Sequence, residues 1–176
     1  MPASNIKLRI DTPTGPIRPG RGFYQLDEES LFVQIGQFTE KKHFFNYLEN
    51  DTILFDLDRV GQIIFIEIAK AKRHWEQVEN LTVPLNAEHA DIRWLNFREK
   101  LPDANIKTDT DYKTVKIEFF ENHSPLYYIL SESVIAETTK EHLLTAVWVL
   151  AYDEDAGGQS IKRFRRKKRH AKSYLD

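Results

Sequence analysis

The chain contains no cysteine among its 176 residues. This absence excludes disulfide bonds, cysteine nucleophiles and cysteine-ligated zinc. No run of the sequence approaches the roughly 20 consecutive apolar residues that are needed to span a bilayer. Residues 1–11 also lack the apolar core of a secretory signal. We therefore expect a soluble cytoplasmic protein, of bacterial type, with no membrane span.

Signatures of enzymes are also missing. The sequence has no HExxH pair, no GxSxG nucleophile turn and no glycine-rich loop of the kinds that bind dinucleotides or nucleotide phosphates. The histidines are scattered without metal-ligand spacing, at His43, His74, His89, His123, His142 and His170. We therefore predict a non-enzymatic protein, and we expect no catalytic residue, no cofactor and no metal ligand.

Charge is divided unequally along the chain. The whole sequence carries 25 basic and 27 acidic side chains, and residues 161–176 hold eight of the basic ones and a single acidic one. Subtraction leaves 17 basic and 26 acidic side chains in residues 1–160, a net charge of −9. The basic residues of the C-terminal segment are Lys162, Arg163, Arg165, Arg166, Lys167, Lys168, Arg169 and Lys172.

A basic arm of this kind predicts binding to nucleic acid, because Lys and Arg side chains neutralise phosphates and release counterions. We predict a binding or regulatory protein in which these eight residues contact nucleic acid. Ile161, Phe164, Lys168, Ala171 and Leu175 fall near one helical stripe. Three alternatives remain for the arm: a solvated segment, a contact with an acidic protein surface such as the protein's own body, and a contact with an anionic membrane.

A second basic pattern precedes the first strand-like run. Arg18 and Arg21 stand beside Phe23 and Tyr24, and such a mixture can pair and stack with single-stranded bases. The favoured interpretation is nevertheless a linker that enters a core strand. Three prolines and three glycines between positions 13 and 22 are typical of an extended connector.

Two stretches, residues 47–59 and 128–140, repeat one pattern of apolar and polar positions at an offset of 81 residues. The same offset aligns residues 62–68 with 143–149, and an offset of 84 aligns 27–35 with 111–119. A repeat indicates two copies of one structural unit. We predict an α+β fold in which two antiparallel β-meander modules, related by internal duplication, are joined by a central helical segment.

The predicted organisation has five parts. They are an extended N-terminal connector at 1–22, a first β module at 23–70, a helical segment at 71–103, a second β module at 104–155 and a basic C-terminal arm at 156–176. In the helical segment, Trp75 and Val78 share one helical stripe and Trp94 and Phe97 share another. Residues 92–97 also alternate as a strand would.

The clearest hairpin joins residues 53–58 to 62–68 through a turn that contains Gly61. Alternation directs Phe55 toward the core, with Asp56, Asp58 and Glu67 on the opposite face. Carboxylates on adjacent strands suit Mg²⁺ or Ca²⁺. A metal-dependent enzyme that uses this acidic hairpin is therefore the third hypothesis. The second is a protein-interaction module that uses strand edges, or the basic arm on an acidic partner.

Residues 23–68 resemble a small bacterial and archaeal β-domain family of unknown function. The resemblance rests on an acidic turn and strand at 27–33 and on the hairpin at 53–68, which reads as D-x-D, a glycine turn and an I-E-I strand. Phe65 occupies a position where that family usually has glycine. The resemblance implies a β-fold, possibly in two tandem copies, and implies no activity.

Overall fold

The computed structural model describes residues 4–36 and 44–154, and this part of the chain is almost entirely β-structure. Its strands form two seven-stranded sheets and one two-stranded ribbon. The one helical element in these ranges is a 3₁₀ turn, Lys72–His74. The described part of the chain therefore contains no helix that is long and apolar enough to cross a membrane. The prediction of an α+β fold with a central helical segment is wrong.

Sheet 1 contains mostly strands from the first half of the chain. In spatial order these are β10 (Glu99–Lys100), β4 (Asn46–Glu49), β5 (Ile53–Leu57), β6 (Ile63–Ile68), β3 (Ser30–Ile35), β2 (Gly20–Gln25) and β16 (Asp153–Glu154). Sheet 2 contains β7 (Glu76–Gln77), β11 (Asn105–Thr108), β12 (Val115–Glu118), β15 (Leu144–Val149), β14 (Val134–Thr138), β13 (Leu126–Ser131) and β8 (Glu88–His89). The ribbon pairs β1 (Leu8–Asp11) with β9 (Asp91–Trp94).

The five central strands of each sheet follow the same path. In sheet 1, the β2–β3 hairpin is followed by a crossover to β4, and the chain returns through β5 and β6 to lie beside β3. Strands β11 to β15 repeat this path in sheet 2. The hairpin turns repeat as well: the Asp58 N–H donates to the Gln62 carbonyl at 3.0 Å, and the Thr139 N–H donates to the Leu143 carbonyl at 2.9 Å. Each unit is thus a hairpin joined to a three-stranded meander.

Each half of the chain completes the sheet of the other half. Strand β7 follows the first unit in sequence but pairs in parallel with β11 of sheet 2. Strand β16 follows the second unit but pairs in parallel with β2 of sheet 1. Beside these exchanged strands the rings of Trp75 and Tyr152 meet edge to face, with centroids 6.1 Å apart. The two units are therefore interlocked.

The main core lies between the inner faces of the two sheets. Phe55 of sheet 1 is fully buried and meets Phe119, which follows β12, with ring centroids 6.0 Å apart. Trp94 of the ribbon packs against Phe55 at the same separation. Burying one such side chain stabilises the fold by about 1.5–3 kcal/mol. The prediction that the Phe55 face of the hairpin points into the core is confirmed.

The segment predicted as helical is drawn into strands by long-range pairing. Arg93 pairs with Arg9 in the β1–β9 ribbon, and alternation on β9 buries Ile92 and Trp94. Helix propensity differs by less than about 1 kcal/mol per residue between ordinary side chains, so a strand partner readily overrides it. Phe97, which shares the helical stripe of Trp94, is 44% exposed.

Candidate interaction surfaces

The acidic hairpin does not gather its carboxylates into one site. Oδ1 of Asp58 accepts hydrogen bonds from the backbone N–H groups of Val60 at 3.0 Å and Gln62 at 2.9 Å, so this carboxylate holds the turn. Asp56 is 2% exposed and ends the regular ladder, because the register shifts after it. Glu67 lies opposite Leu54. Within residues 4–36 and 44–154, no three Asp, Glu or His side chains form a group that could hold a metal ion.

The residues predicted to contact nucleic acid lie outside the described residues. They are Lys162, Arg163, Arg165, Arg166, Lys167, Lys168, Arg169 and Lys172. The structure does place the residues from which the arm continues. Asp153 pairs with Phe23 and Glu154 pairs with Tyr24, so the last described residues lie at the β16 edge of sheet 1.

The basic 3₁₀ turn Lys72–His74 contacts Glu154, the last described residue. Lys72 forms a 3.0 Å salt bridge with Glu154, and its ammonium group lies 4.7 Å from the centroid of the Tyr24 ring. Arg73 is ion-paired with Glu29. The hydrogen bond between them lowers the pKa of Glu29 and raises the pKa of Arg73. Both side chains of this pair are largely solvent-exposed, so the pair contributes little to stability.

The Arg18–Arg21 connector does not form a base-stacking site in this structure. The Arg18 guanidinium donates to the Ile63 carbonyl at 2.8 Å. Desolvation lowers the pKa of Arg18, against the opposing effect of nearby carboxylates. Phe23 and Tyr24 are each 3% exposed, so their rings are not available to stack with bases. Arg18 therefore ties the connector to the hairpin, which agrees with the linker interpretation.

A cleft of about 320 Å³ lies beneath the connector, between residues 13–19 and the ribbon. Asp91 lines it and accepts hydrogen bonds from Gln62 at 2.7 Å and from Arg93 at 3.1 Å. Burial raises the pKa of Asp91, but these two donors outweigh that effect and the net shift is downward. Asp91 is thus bonded to Gln62, beside the hairpin, and to Arg93 of its own strand.

The edge strands of the two large sheets are poorly suited to pairing with further strands. All four edge strands, β7, β8, β10 and β16, are two residues long. Five of their residues are acidic: Glu76, Glu88, Glu99, Asp153 and Glu154. Short, charged edge strands discourage the addition of a further strand. This geometry gives no support to an interaction through strand edges in the described part of the chain.

The outer face of sheet 2, which points away from the core, carries an ion-pair network. Lys116 lies 2.7 Å from Glu118 and 3.8 Å from Glu137, and Lys107 lies 2.9 Å from Glu118. Burial raises the pKa of Glu118, but the hydrogen bonds from the two lysines outweigh it and lower that pKa overall. Glu137 also accepts a hydrogen bond from Thr145 at 2.8 Å. This outer face combines the ion-pair network with apolar residues, because Trp148 pairs with Lys116 and with Ile135 across the strands and is 2% exposed.

The outer face of sheet 1 carries a row of phenylalanine residues. Phe23, Phe32 and Phe65, which we term the phenylalanine row, cross β2, β3 and β6 with successive ring centroids 6.0 and 5.9 Å apart. At the repeat offsets of 84 and 81, the equivalent residues of sheet 2 are Lys107, Lys116 and Ala146. The residue pattern alone did not predict this row. The alternation of Phe32 with buried Leu31 and Val33 was the available signal.

Comparison with known proteins does not assign the chain to a family. No protein-family model matches it, and no curated protein matches its sequence significantly. The resemblance of residues 23–68 to a small β-domain family therefore stays a prediction.

Proposed function

We propose that this protein is a non-enzymatic binding protein whose basic C-terminal arm contacts nucleic acid. The observation that carries the proposal is the charge division: eight basic residues and one acidic residue in 161–176, attached to a body with a net charge of −9. The acidic body repels phosphate, so the nucleic-acid footprint is confined mainly to the arm. The arm has no base-reading geometry, which favours sequence-independent binding.

The strength of the salt dependence follows from the number of basic residues. If all eight contact phosphates, log K should fall with log salt with a slope of about −7 on duplex DNA and about −6 on single strands. Between 50 and 200 mM salt, this corresponds to roughly a 10⁴-fold loss of duplex affinity. Binding to mixed-sequence single- and double-stranded nucleic acids across a salt series tests the proposal.

A matched pair of variants separates the arm from general electrostatics. In the first, Arg163, Arg165, Arg166 and Lys167 are replaced by Gln, and the slope should fall by about half. In the second, four exposed basic residues of the body are replaced by Gln, which produces the same charge change: Arg59, Lys100, Lys113 and Lys140. The second variant should retain the slope of the unchanged protein. Equal slopes for the two variants would refute the arm as the contact.

The second hypothesis, contact between the arm and an acidic protein partner, differs in its outcome. It predicts a discrete complex on pull-down and little salt-dependent binding to RNA or DNA. The third hypothesis, a metal-dependent enzyme, loses its main support because Asp58 is committed to the hairpin turn. A calorimetric titration with Mg²⁺ and Ca²⁺ that gives no heat would end it.

A further inference from the structure

The cleft beneath the connector lies at the junction of the two halves of the protein. Gln62 lines it from the first hairpin, and residues 89–92 line it from the region of the ribbon. Ile129 and Leu130 line it from β13 of sheet 2, and residues 13–19 of the connector form the remaining wall. Small organic ligands bind preferentially in clefts at such junctions, and a volume of about 320 Å³ lies at the lower end of their usual size range.

The lining of the cleft combines apolar surface with a small number of polar side chains. Three prolines of the connector, together with Ile92, Ile129 and Leu130, supply apolar surface. The polar side chains are those of Thr14, Arg18, Gln62, His89 and Asp91. This mixture is typical of a site in which apolar walls hold a small organic molecule and a few polar groups orient it.

Arg18 brings a positive charge with unused hydrogen-bonding capacity to the cleft. Its half-buried guanidinium donates to the Ile63 carbonyl at 2.8 Å and forms no salt bridge with any residue in 4–36 or 44–154. A guanidinium has five N–H donors, and those of Arg18 that have no partner among the described residues stay accessible to solvent. Desolvation is the largest influence on the pKa of Arg18 and lowers it. An oxyanion in the cleft would compensate this partly desolvated charge.

The neighbouring carboxylates are engaged elsewhere. Asp91 accepts hydrogen bonds from Gln62 and Arg93, and Asp58 holds the hairpin turn. Both carboxylates act on Arg18 through longer-range attraction, which opposes the lowering of its pKa. The same two negative charges would repel a doubly charged ligand more strongly than a singly charged one. The electrostatics of the cleft therefore favour a monocarboxylate over a phosphate dianion.

The volume of the cleft limits the size of the ligand. A water molecule occupies about 30 Å³ in the liquid, so a cleft of about 320 Å³ has room for about ten non-hydrogen atoms. Two of these atoms are the carboxylate oxygens, which leaves about eight carbon atoms for the rest of the molecule. Because prolines and aliphatic side chains form most of the walls, this remainder should be apolar.

We propose that the cleft binds a small monocarboxylate with an apolar body, whose oxygens accept hydrogen bonds from the Arg18 guanidinium. The planar guanidinium matches the two oxygens of a carboxylate in geometry as well as in charge. The apolar body lies between the connector prolines and the aliphatic side chains of the opposite wall. The site uses no residue of the C-terminal arm, so the inference does not depend on nucleic-acid binding.

A matched pair of probes tests the proposal on the full-length protein. Phenylacetate, with its two oxygens and eight carbons, fills the expected size, and phenylacetamide has nearly the same shape without the charge. Both are titrated into methyl-labelled protein and followed by NMR. Phenylacetate should bind about tenfold to a hundredfold more tightly than phenylacetamide, because its hydrogen bonds with Arg18 involve two charged groups. The methyl signals of Ala90, Ile92 and Ile129 should shift most.

Two outcomes of this titration would overturn the proposal. The first is the absence of shifts at these methyl groups with phenylacetate and with hexanoate at about 10 mM, since a ligand of about ten non-hydrogen atoms should bind with a roughly millimolar or lower Kd. The second is that inorganic phosphate shifts the same signals at equal or lower concentration, which would contradict the preference for a monocarboxylate.

Two variants with the same charge change test the role of Arg18. Arg18→Gln should weaken phenylacetate binding to the level of phenylacetamide and leave phenylacetamide binding unchanged. Arg21→Gln removes an exposed charge three residues later that does not line the cleft, and it should leave both affinities unchanged. The methyl spectrum of each variant shows whether the cleft stays folded. Equal loss of both ligands in Arg18→Gln, or equal effects of the two variants, would contradict a direct contact between Arg18 and the carboxylate.

Discussion

Replacement of Gly61 by alanine tests how the first hairpin is joined to the β1–β9 ribbon. Gly61 has a φ of +86°, and an added Cβ would lie 2.7 Å from the carbonyl oxygen of Trp94. The Trp94 N–H also donates to the Gly61 carbonyl at 2.7 Å. The left-handed conformation costs a non-glycine residue about 1–2 kcal/mol, and disturbing the hydrogen bond adds about 1 kcal/mol. We expect Gly61→Ala to destabilise the protein by about 2–3 kcal/mol.

For a chain of this length, the melting temperature should fall by roughly 4–12 °C, measured by circular dichroism. His142 provides an internal control, because it stands 81 residues later, has a φ of +63° and already carries a side chain. Its carbonyl accepts a hydrogen bond from Leu8 at 3.0 Å, which His142→Ala preserves. That variant should lose less than about 1 kcal/mol. A Gly61→Ala variant within about 0.5 kcal/mol of the unchanged protein would refute the steric argument.

Two further predictions concern polar groups. Glu137→Ala removes a carboxylate on sheet 2 that is 2% exposed and hydrogen-bonded, so it should lower the free energy of unfolding, measured in urea, by about 1–3 kcal/mol. Glu121 has a largely exposed side chain, and Glu121→Ala should lower the same free energy by less than about 0.5 kcal/mol. Similar losses for the two would contradict a structural role for the network. Burial, and secondarily Asp109 and Glu154, raises the pKa of Tyr152 to about 12. The raised pKa means that the folded protein disfavours the phenolate form of Tyr152. The stability that the un-ionised Tyr152 side chain contributes is therefore complete below pH ~10 and is lost as the pH rises through about 12. Tyr152→Phe should therefore flatten the alkaline fall in stability, and an unchanged pH profile between about 9 and 12 would contradict this.

The exchanged edge strands make each half of the chain dependent on the other. Strand β7 reaches sheet 2 and β16 reaches sheet 1, while the Trp75 and Tyr152 rings pack together between them. A unit of about 45 residues buries too little apolar surface to be stable alone in most cases. The exchange therefore joins two marginal units into one body.

Local patterns were sufficient to predict the hairpin around Gly61 and the direction of Phe55. Both depend on alternation and turn chemistry within about 15 residues, which operate without distant partners. The segment 71–103 was predicted incorrectly for the opposite reason. Its apolar residues satisfy a helical period as well as an extended one, and the choice depends on β1, which lies about 80 residues earlier in the chain.

The sequence by itself determined the alternation of the strands, the repeat offsets, the acidic body and the basic C-terminal segment, because these are properties of residue order and composition. Only the tertiary structure decided that the carboxylate of Asp58 holds a turn, that Arg18 ties the connector to the hairpin, and that the two outer sheet faces differ. These assignments depend on which side chains meet across the fold. Such meetings are governed by long-range strand pairing and packing rather than by local propensity.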